Sequence, residues 1–202
     1  LPIPYYIFVS EYMLQQTTVN TVIDRFNKFI IKWPKIQDLA STSEEKILKF
    51  WSGLGYYSRA RNLKKTAQKV ISNLKGNLPS SIEELKKLPG IGDYTSQAIS
   101  AIVFNKPIIP LDGNVERVLK RVLYLKKEKE ITKENLNYKK SFFGISKRSS
   151  DYAQAIMEIG ALICKPLNPV CSKCPISNYC VSFKKNDFQI KSKNKFHKIK
   201  YF

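Results

Sequence analysis

The sequence predicts an all-α chain, and three observations carry that prediction. Apolar residues recur at helical spacing, as at Val19, Val22, Phe26, Phe29 and Ile30. Helix-start signals, Ser or Thr followed by acids, stand ahead of such runs at residues 41–45 and 79–84. No stretch shows the alternation of a half-buried strand, and no internal repeat is found. About ten helices are expected on this pattern.

In chain order, residues 4–16 (PYYIFVSEYMLQQ) read as the first helix, with Tyr6, Val9, Met13 and Gln16 spaced along it. Glu11 sits inside this apolar, aromatic stretch. It is either a solvated helix glutamate or a buried acid, whose raised pKa would let it hold a proton near neutral pH. Thr17 or Thr18 caps the next helix, which carries a core stripe and ends at Pro34. Ser41-Thr42-Ser43-Glu44-Glu45 opens a helix bearing Ile47, Leu48 and Trp51. It stops at Gly53-Leu54-Gly55-Tyr56-Tyr57. Such a loop is either a packed corner or a device for pushing a ring into a base stack, where each stacking contact is worth ~1–3 kcal/mol. Residues 58–74 form a basic amphipathic helix ended by Gly76, and Pro79-Ser80-Ser81 opens another.

Leu88-Pro89-Gly90-Ile91-Gly92 is a tight turn between two helical patterns. It is either an ordinary helix connection or a site where backbone N–H groups at a helix N-terminus hold a phosphate. Further on, Asp112 stands between Leu111 and Gly113, where it suits the N-cap of a helix over 115–123. A lysine-rich connector (126–130), a weaker helix from 132 to 143 and a strong helix from 151 to 164 follow. Glu158 is the only acid of that last helix after Asp151. Residues 184–202 are basic and aromatic without periodicity, and read as a disordered tail or linker stub.

The 202 residues admit one large domain or two small ones sharing an interface. No apolar run approaches the ~18–20 residues of a membrane span. The opening LPIPYYIF lacks the basic segment and cleavage site of a signal peptide, and the start at Leu1 implies that the sequence begins within a longer protein. A net charge of +19 favours a polyanionic partner, nucleic acid or an anionic membrane surface. Only six of the 35 basic residues are arginine, and a lysine-heavy surface also follows from genome base composition.

All four cysteines fall in one run, Cys164-x6-Cys171-x2-Cys174-x5-Cys180. A secreted chain would spread them to staple loops; clustered, they point to a metal site in a reducing compartment. Four thiolates suit structural zinc or an iron–sulfur cubane, and the spacing alone leans toward zinc. A disulfide pair is the third option.

Six segments in this order resemble the adenine DNA glycosylases of the MutY type: SEYMLQQTT, WSGLGYYSRARNL, LPGIGDYTSQAI, LDGNVERVL, EIGALIC and the cysteine loop. The resemblance spans residues 4–180. It implies a helix-hairpin-helix DNA glycosylase fold with two helical lobes. Residues 1–16 and 116–183 would make the lobe with the cysteine loop, and 17–115 the hairpin lobe. It turns the cysteine reading toward a [4Fe–4S] cluster on Cys164, Cys171, Cys174 and Cys180.

By the same resemblance, Glu11 is the acid that protonates adenine N7, and Asp112 the carboxylate that stabilises or captures the sugar cation. Tyr94 and Asn114 support that pair. Gln16 and Tyr56 enter the duplex, and Leu14 and Glu158 belong to the adenine pocket. The backbone N–H groups of the turn are expected to hold a DNA phosphate at Gly90 and Gly92. Tyr94 occupies the position of the lysine in lyase-competent endonuclease III relatives, which also lack the Glu11 counterpart. The implied enzyme is therefore a monofunctional, monomeric glycosylase inside the cell, acting on adenine opposite 8-oxoguanine or guanine. The alternatives are a non-catalytic DNA-binding module and an endonuclease III-type glycosylase/lyase. Two family features are missing from the sequence: an L-P-W-R segment before the first helix, and a C-terminal domain similar to nucleotide-pyrophosphate hydrolases. Their absence implies either a piece of a longer protein or a shortened enzyme with weaker discrimination.

Overall fold

The computed structural model describes residues 3–125 and 147–188. The expected helix over 132–143, the lysine-rich connector and most of the tail lie outside them. Among the described residues there are ten α-helices and no strand. No described helix is long and apolar enough to cross a membrane. The chain divides into two compact units, Leu1–Leu111 with Gly144–Gln154, and Asp112–Phe143 with Ala155–Phe202.

The first unit is built around α1 (Pro4–Leu14). Proline in its first turn removes an N–H that would have no partner there. The helix is apolar nearly all round, which marks a buried element, and Phe8, Val9, Tyr12 and Met13 are fully buried. It packs on α2 (Val19–Lys32), α5 (Ser58–Leu74) and α7 (Asp93–Phe104). α2 is amphipathic and turns Val22 and Phe29 inward. Residues 1–16 thus lie in the same unit as residues 17–111, rather than grouped with the C-terminal segment as the sequence reading had them. The reason is burial: the α1 side chains share one core with Trp51, Leu63, Leu85 and Ile99.

α3 (Ile36–Ser41) and α4 (Glu44–Trp51) lie against α5, and α6 (Ile82–Leu85) against α7. The sequence reading has no helix at α3, because six residues are too few to show a period. It forms because Ile36 and Leu39 are buried, and because the Asp38 carboxylate accepts from the Lys35 N–H at 2.9 Å. α6 follows the expected start signal, with Ser81 Oγ accepting from the Glu84 N–H at 3.1 Å. α5 ends where expected: Lys75 and Gly76 take left-handed φ of 52° and 82°, and the Gly76 N–H reaches back to the Val70 carbonyl.

The second unit centres on α8 (Gly113–Leu123), whose Val115, Val118, Leu119 and Val122 are buried. The expected helix over 151–164 splits into α9 (Ser149–Glu158) and a wider π turn (Ile159–Ile163). Two 3₁₀ turns (Cys171–Lys173, Ser177–Tyr179) and α10 (Val181–Lys184) complete the cysteine segment, with α10 packed on α8. Gly160 in the π turn lies against α8. A Cβ there would fall 3.0 Å from the Asn114 Cβ and 3.1 Å from its main chain.

Candidate active site

In the first unit, Glu11 is the only acid of α1 and is 5% exposed. Burial to that degree withdraws its carboxyl from bulk water. Leu14, at the end of the same helix, is partly buried against the core. Beyond it the chain turns sharply. Gln16 is exposed with φ of 55°, a left-handed conformation uncommon for a residue with a side chain. Tyr56, 53% exposed, has φ of 49°.

The two turns share one anchor, Arg59, which is 6% exposed. Its Nη1 donates to the carbonyls of Tyr12, Met13 and Gln15 at 3.2, 2.7 and 2.5 Å. Its Nη2 donates to those of Leu54 and Gly55 at 2.8 and 3.1 Å. Burial draws this guanidinium's pKa down, and the neighbouring Tyr56 phenol pushes it back up.

The hairpin turn closes on α1 and α5. The Tyr12 hydroxyl and Thr66 Oγ1 both donate to the Pro89 carbonyl, Thr66 at 2.9 Å. Gln15 Nε2 donates to the Gly90 carbonyl at 3.1 Å and to Thr95 Oγ1 at 3.2 Å. Gly90 has φ of 78°, and a Cβ there would meet Asn62 at 2.8 Å, so this fold needs glycine at that position. Gly92 differs. It is the N-cap of α7 at an ordinary φ of −91°, and a Cβ there meets nothing within 4 Å. It brings no side-chain cap to α7. Tyr94 is half-buried in the first turn of α7.

In the second unit, Asp112 is the N-cap of α8. Its Oδ1 accepts from the Val115 N–H at 2.7 Å, and its Oδ2 from Asn114 Nδ2 at 3.3 Å. Asn114 Oδ1 in turn accepts from Arg117 Nη2 at 3.0 Å. Arg117 also donates to the carbonyls of Gly160 and Cys164, both at 2.7 Å. Burial lowers the Arg117 pKa, and Cys164 and Asp112 work against that. Glu158 is exposed at the C-terminal end of α9.

The four cysteines line one pocket with Val118, Val122, Ile159, Ile163 and Phe183. Burial raises the thiol pKa of Cys171, and the other three cysteines add to it. Cys174 is raised by burial and by Cys164 and Cys180. Arg121, 4% exposed, enters from α8: Nη1 donates to Cys164 Sγ at 3.4 Å, and its carbonyl accepts from Cys180 Sγ at 3.5 Å. Among the described residues no three of His, Cys, Asp or Glu converge tightly on one metal ion. The donor set, four thiols around an apolar pocket with an arginine at its wall, fits an anionic metal–sulfur group.

The model of the HhH-GPD superfamily base excision DNA repair protein matches residues 9–140. The chain belongs to this superfamily. It is 44% identical over 184 residues to the adenine DNA glycosylase of Mus musculus, covering 90% of this chain and 36% of that protein. It is 44% identical over 199 residues to the adenine DNA glycosylase of Buchnera aphidicola subsp. Baizongia pistaciae, covering 97% and 56%. The chain thus spans between about a third and just over half of these relatives. Its fold is similar to that of a thermostable thymine-DNA glycosylase, with a TM-score of 0.75 and 29% identity over 90% of this chain and 85% of that one.

The sequence reading of this HhH-GPD chain named candidate site residues but not the groups that hold them in the structure. Arg59, Gln15, Thr66, Arg117 and Arg121 were all missed. One signal pointed to three of them: in a chain so rich in lysine, an arginine marks a place where a forked donor is needed.

Proposed function

We propose that this chain is the catalytic part of a monofunctional adenine DNA glycosylase, which removes adenine opposite 8-oxoguanine or guanine by hydrolysing its N-glycosidic bond. The observation that carries the proposal is Glu11, the only acid on the otherwise apolar central helix, buried at 5% exposure. The names of the two curated relatives agree with it.

A base inside a duplex is out of reach, so it must first be extruded at a cost of a few kcal/mol. The +19 charge favours the duplex, and the open N-terminus of α7 behind Gly92 supports a phosphate contact that sets its register. Gln16 and Tyr56 enter the stack, and Leu14 and Glu158 help to receive the extruded base. Adenine leaves poorly unless protonated, and Glu11 donates that proton to N7. As the bond breaks, the sugar becomes oxocarbenium-like, and Asp112 stabilises its positive charge. The N–H and Asn114 bonds that hold the Asp112 carboxylate favour a fixed, preorganised charge. Tyr94 and Asn114 support this pair, and with tyrosine in place of lysine no amine is offered to the sugar.

Cys164, Cys171, Cys174 and Cys180 would hold a [4Fe–4S] cluster. Such a cluster, when bound, ties the segment together and can exchange an electron. That all four cysteines line one pocket supports a single shared metal–sulfur centre. Arg121 then contributes positive charge and a thiol contact at the wall.

A single-turnover assay tests the proposal, on duplexes pairing adenine with 8-oxoguanine, guanine or cytosine. Free adenine should be released from the first two duplexes, with strand breaks only after alkali treatment. Binding without release from any duplex would leave a DNA-binding module instead.

A further inference from the structure

We propose that Arg59 and Gln15 are positioning residues for base extrusion, locking Gln16 and Tyr56 to each other and to the hairpin turn. The inference rests on the glycosylase reading, in which those two side chains enter the duplex and the hairpin holds a phosphate.

The argument starts from an apparent mismatch. Gln16 and Tyr56 are forty residues apart, exposed, and each in a left-handed conformation that a residue with a side chain adopts rarely. Left to themselves, both turns would relax. Each is held through the residue before it, and by the same guanidinium. The Gln15 carbonyl accepts from Arg59 Nη1 at 2.5 Å, and the Gly55 carbonyl from Arg59 Nη2 at 3.1 Å. Trp51 Nε1 adds a second donor to Gly55 at 3.1 Å, and the Arg59 N–H donates to the Tyr56 carbonyl at 2.9 Å. The guanidinium carbon lies 5.6 Å from the centre of the Tyr56 ring.

The link continues to the hairpin through Gln15, and in parallel through Tyr12, whose carbonyl also accepts from Arg59 and whose hydroxyl donates to the Pro89 carbonyl. The Gln15 carbonyl is on Arg59, while its side-chain amide donates to Gly90 and Thr95. Gln15 is the residue of the wedge turn itself that reaches the hairpin, next to Gln16 in the chain. The contacts of Arg59 to Tyr12, Met13 and Gln15 serve carbonyls at the C-terminal end of α1, of which Gln15 is the C-cap. The contacts to Leu54 and Gly55 go beyond that need. A planar, forked donor is the group that can hold two turns at one fixed spacing. Extrusion is uphill, so wedges preset against a fixed phosphate contact waste less on ordering loops during binding.

The test uses a duplex with 2-aminopurine opposite guanine, on a 2′-fluoro sugar that blocks excision. Fluorescence reports unstacking, anisotropy reports affinity, and far-UV melting reports folding. The 202-residue parent should raise the fluorescence on binding. Arg59→Met should lower the extruded fraction about tenfold or more, with duplex affinity held within about threefold. Gln15→Ala should act in the same direction with less effect, and Arg59→Lys should recover part of the loss. Should Arg59→Met fail to fold, Gln15→Ala decides, because its side chain is only half-buried. Folded variants that extrude like the parent overturn the proposal, as does a proportional fall of affinity and extrusion together. A parent that binds without any fluorescence rise overturns the glycosylase reading itself, whatever the variants do.

Discussion

Arg117 Nε donates to the main-chain carbonyl of Cys164 at 2.7 Å. The same guanidinium holds Asn114, which holds Asp112, so the first cysteine of the loop and the capping carboxylate of α8 are three hydrogen bonds apart. Arg117→Lys keeps the charge but cannot serve Asn114, Gly160 and Cys164 together. Each buried group left unpaired costs about 1–3 kcal/mol. Urea unfolding should show a loss in that range, and excision should fall although Glu11 and Asp112 are intact. A variant with lowered stability and unchanged excision would make the network structural only.

The two hairpin glycines separate folding from binding. Gly90→Ala forces a Cβ to within 2.8 Å of Asn62 at a φ of 78°. It should destabilise the protein by roughly 2 kcal/mol or more. Gly92→Val has an allowed φ and open space, so it should fold, at a cost of about 1 kcal/mol for the poorer N-cap residue. If the α7 N-terminus takes a phosphate, this variant should bind every duplex more weakly, whatever the base pair, because a phosphate contact carries no sequence information. Unchanged affinity for Gly92→Val would remove the hairpin from the interface.

Much of this organisation was legible in the sequence, and what was not has a physical reason. Helices of two turns or more announced themselves through period and caps, as α5 did from Ser58 to Leu74. α3 was hidden because a six-residue helix has no period to read. The helix expected to run to Cys164 widens into a π turn at Ile159, where packing of Gly160 on Asn114 overrides local preference. Asp112 caps α8, as its place ahead of that helix implies, and its second carboxylate oxygen accepts from Asn114. The arginines escaped notice because their partners are main-chain carbonyls distant in sequence, as with Arg59 and Met13, and no residue pattern encodes a carbonyl.

The cysteine pocket gives a prediction that needs no DNA. The protein purified anaerobically should be brown, absorb near ~400 nm and contain iron with acid-labile sulfide. Cys174→Ser should lose most of that absorbance. Arg121→Met should keep the four thiols but remove the donor to Cys164 Sγ, which should shift the cluster's reduction potential downward as positive charge is lost. Colourless protein with one zinc and no iron would overturn the cluster assignment.

Tyr94 predicts base release without β-elimination. Borohydride should trap little Schiff base with abasic DNA, because tyrosine offers no amine. Strong trapping that disappears on changing one lysine would move the chain to the lyase class.

The two carboxylates give the sharpest test, because the structure separates charge from scaffold at Asp112. Asp112→Asn keeps an Oδ1 to accept from the Val115 N–H, and asparagine caps a helix about as well as aspartate. Stability should therefore stay within about 0.5 kcal/mol of the parent. Negative charge is what the substitution removes, and a preorganised charge is typically worth about 10²–10³ in rate. Glu11→Gln preserves shape inside α1 but removes the transferable proton, typically worth about 10²–10⁴. Both variants should bind duplex DNA like the parent while single-turnover excision collapses. The proposed mechanism has both groups act on one transition state, so it predicts that the double variant loses less than the product of the two single losses. Excision by Asp112→Asn within about threefold of the parent, at unchanged stability, would mean that the carboxylate only caps α8. The mechanism proposed for the sugar cation would then fall, whatever Glu11→Gln shows.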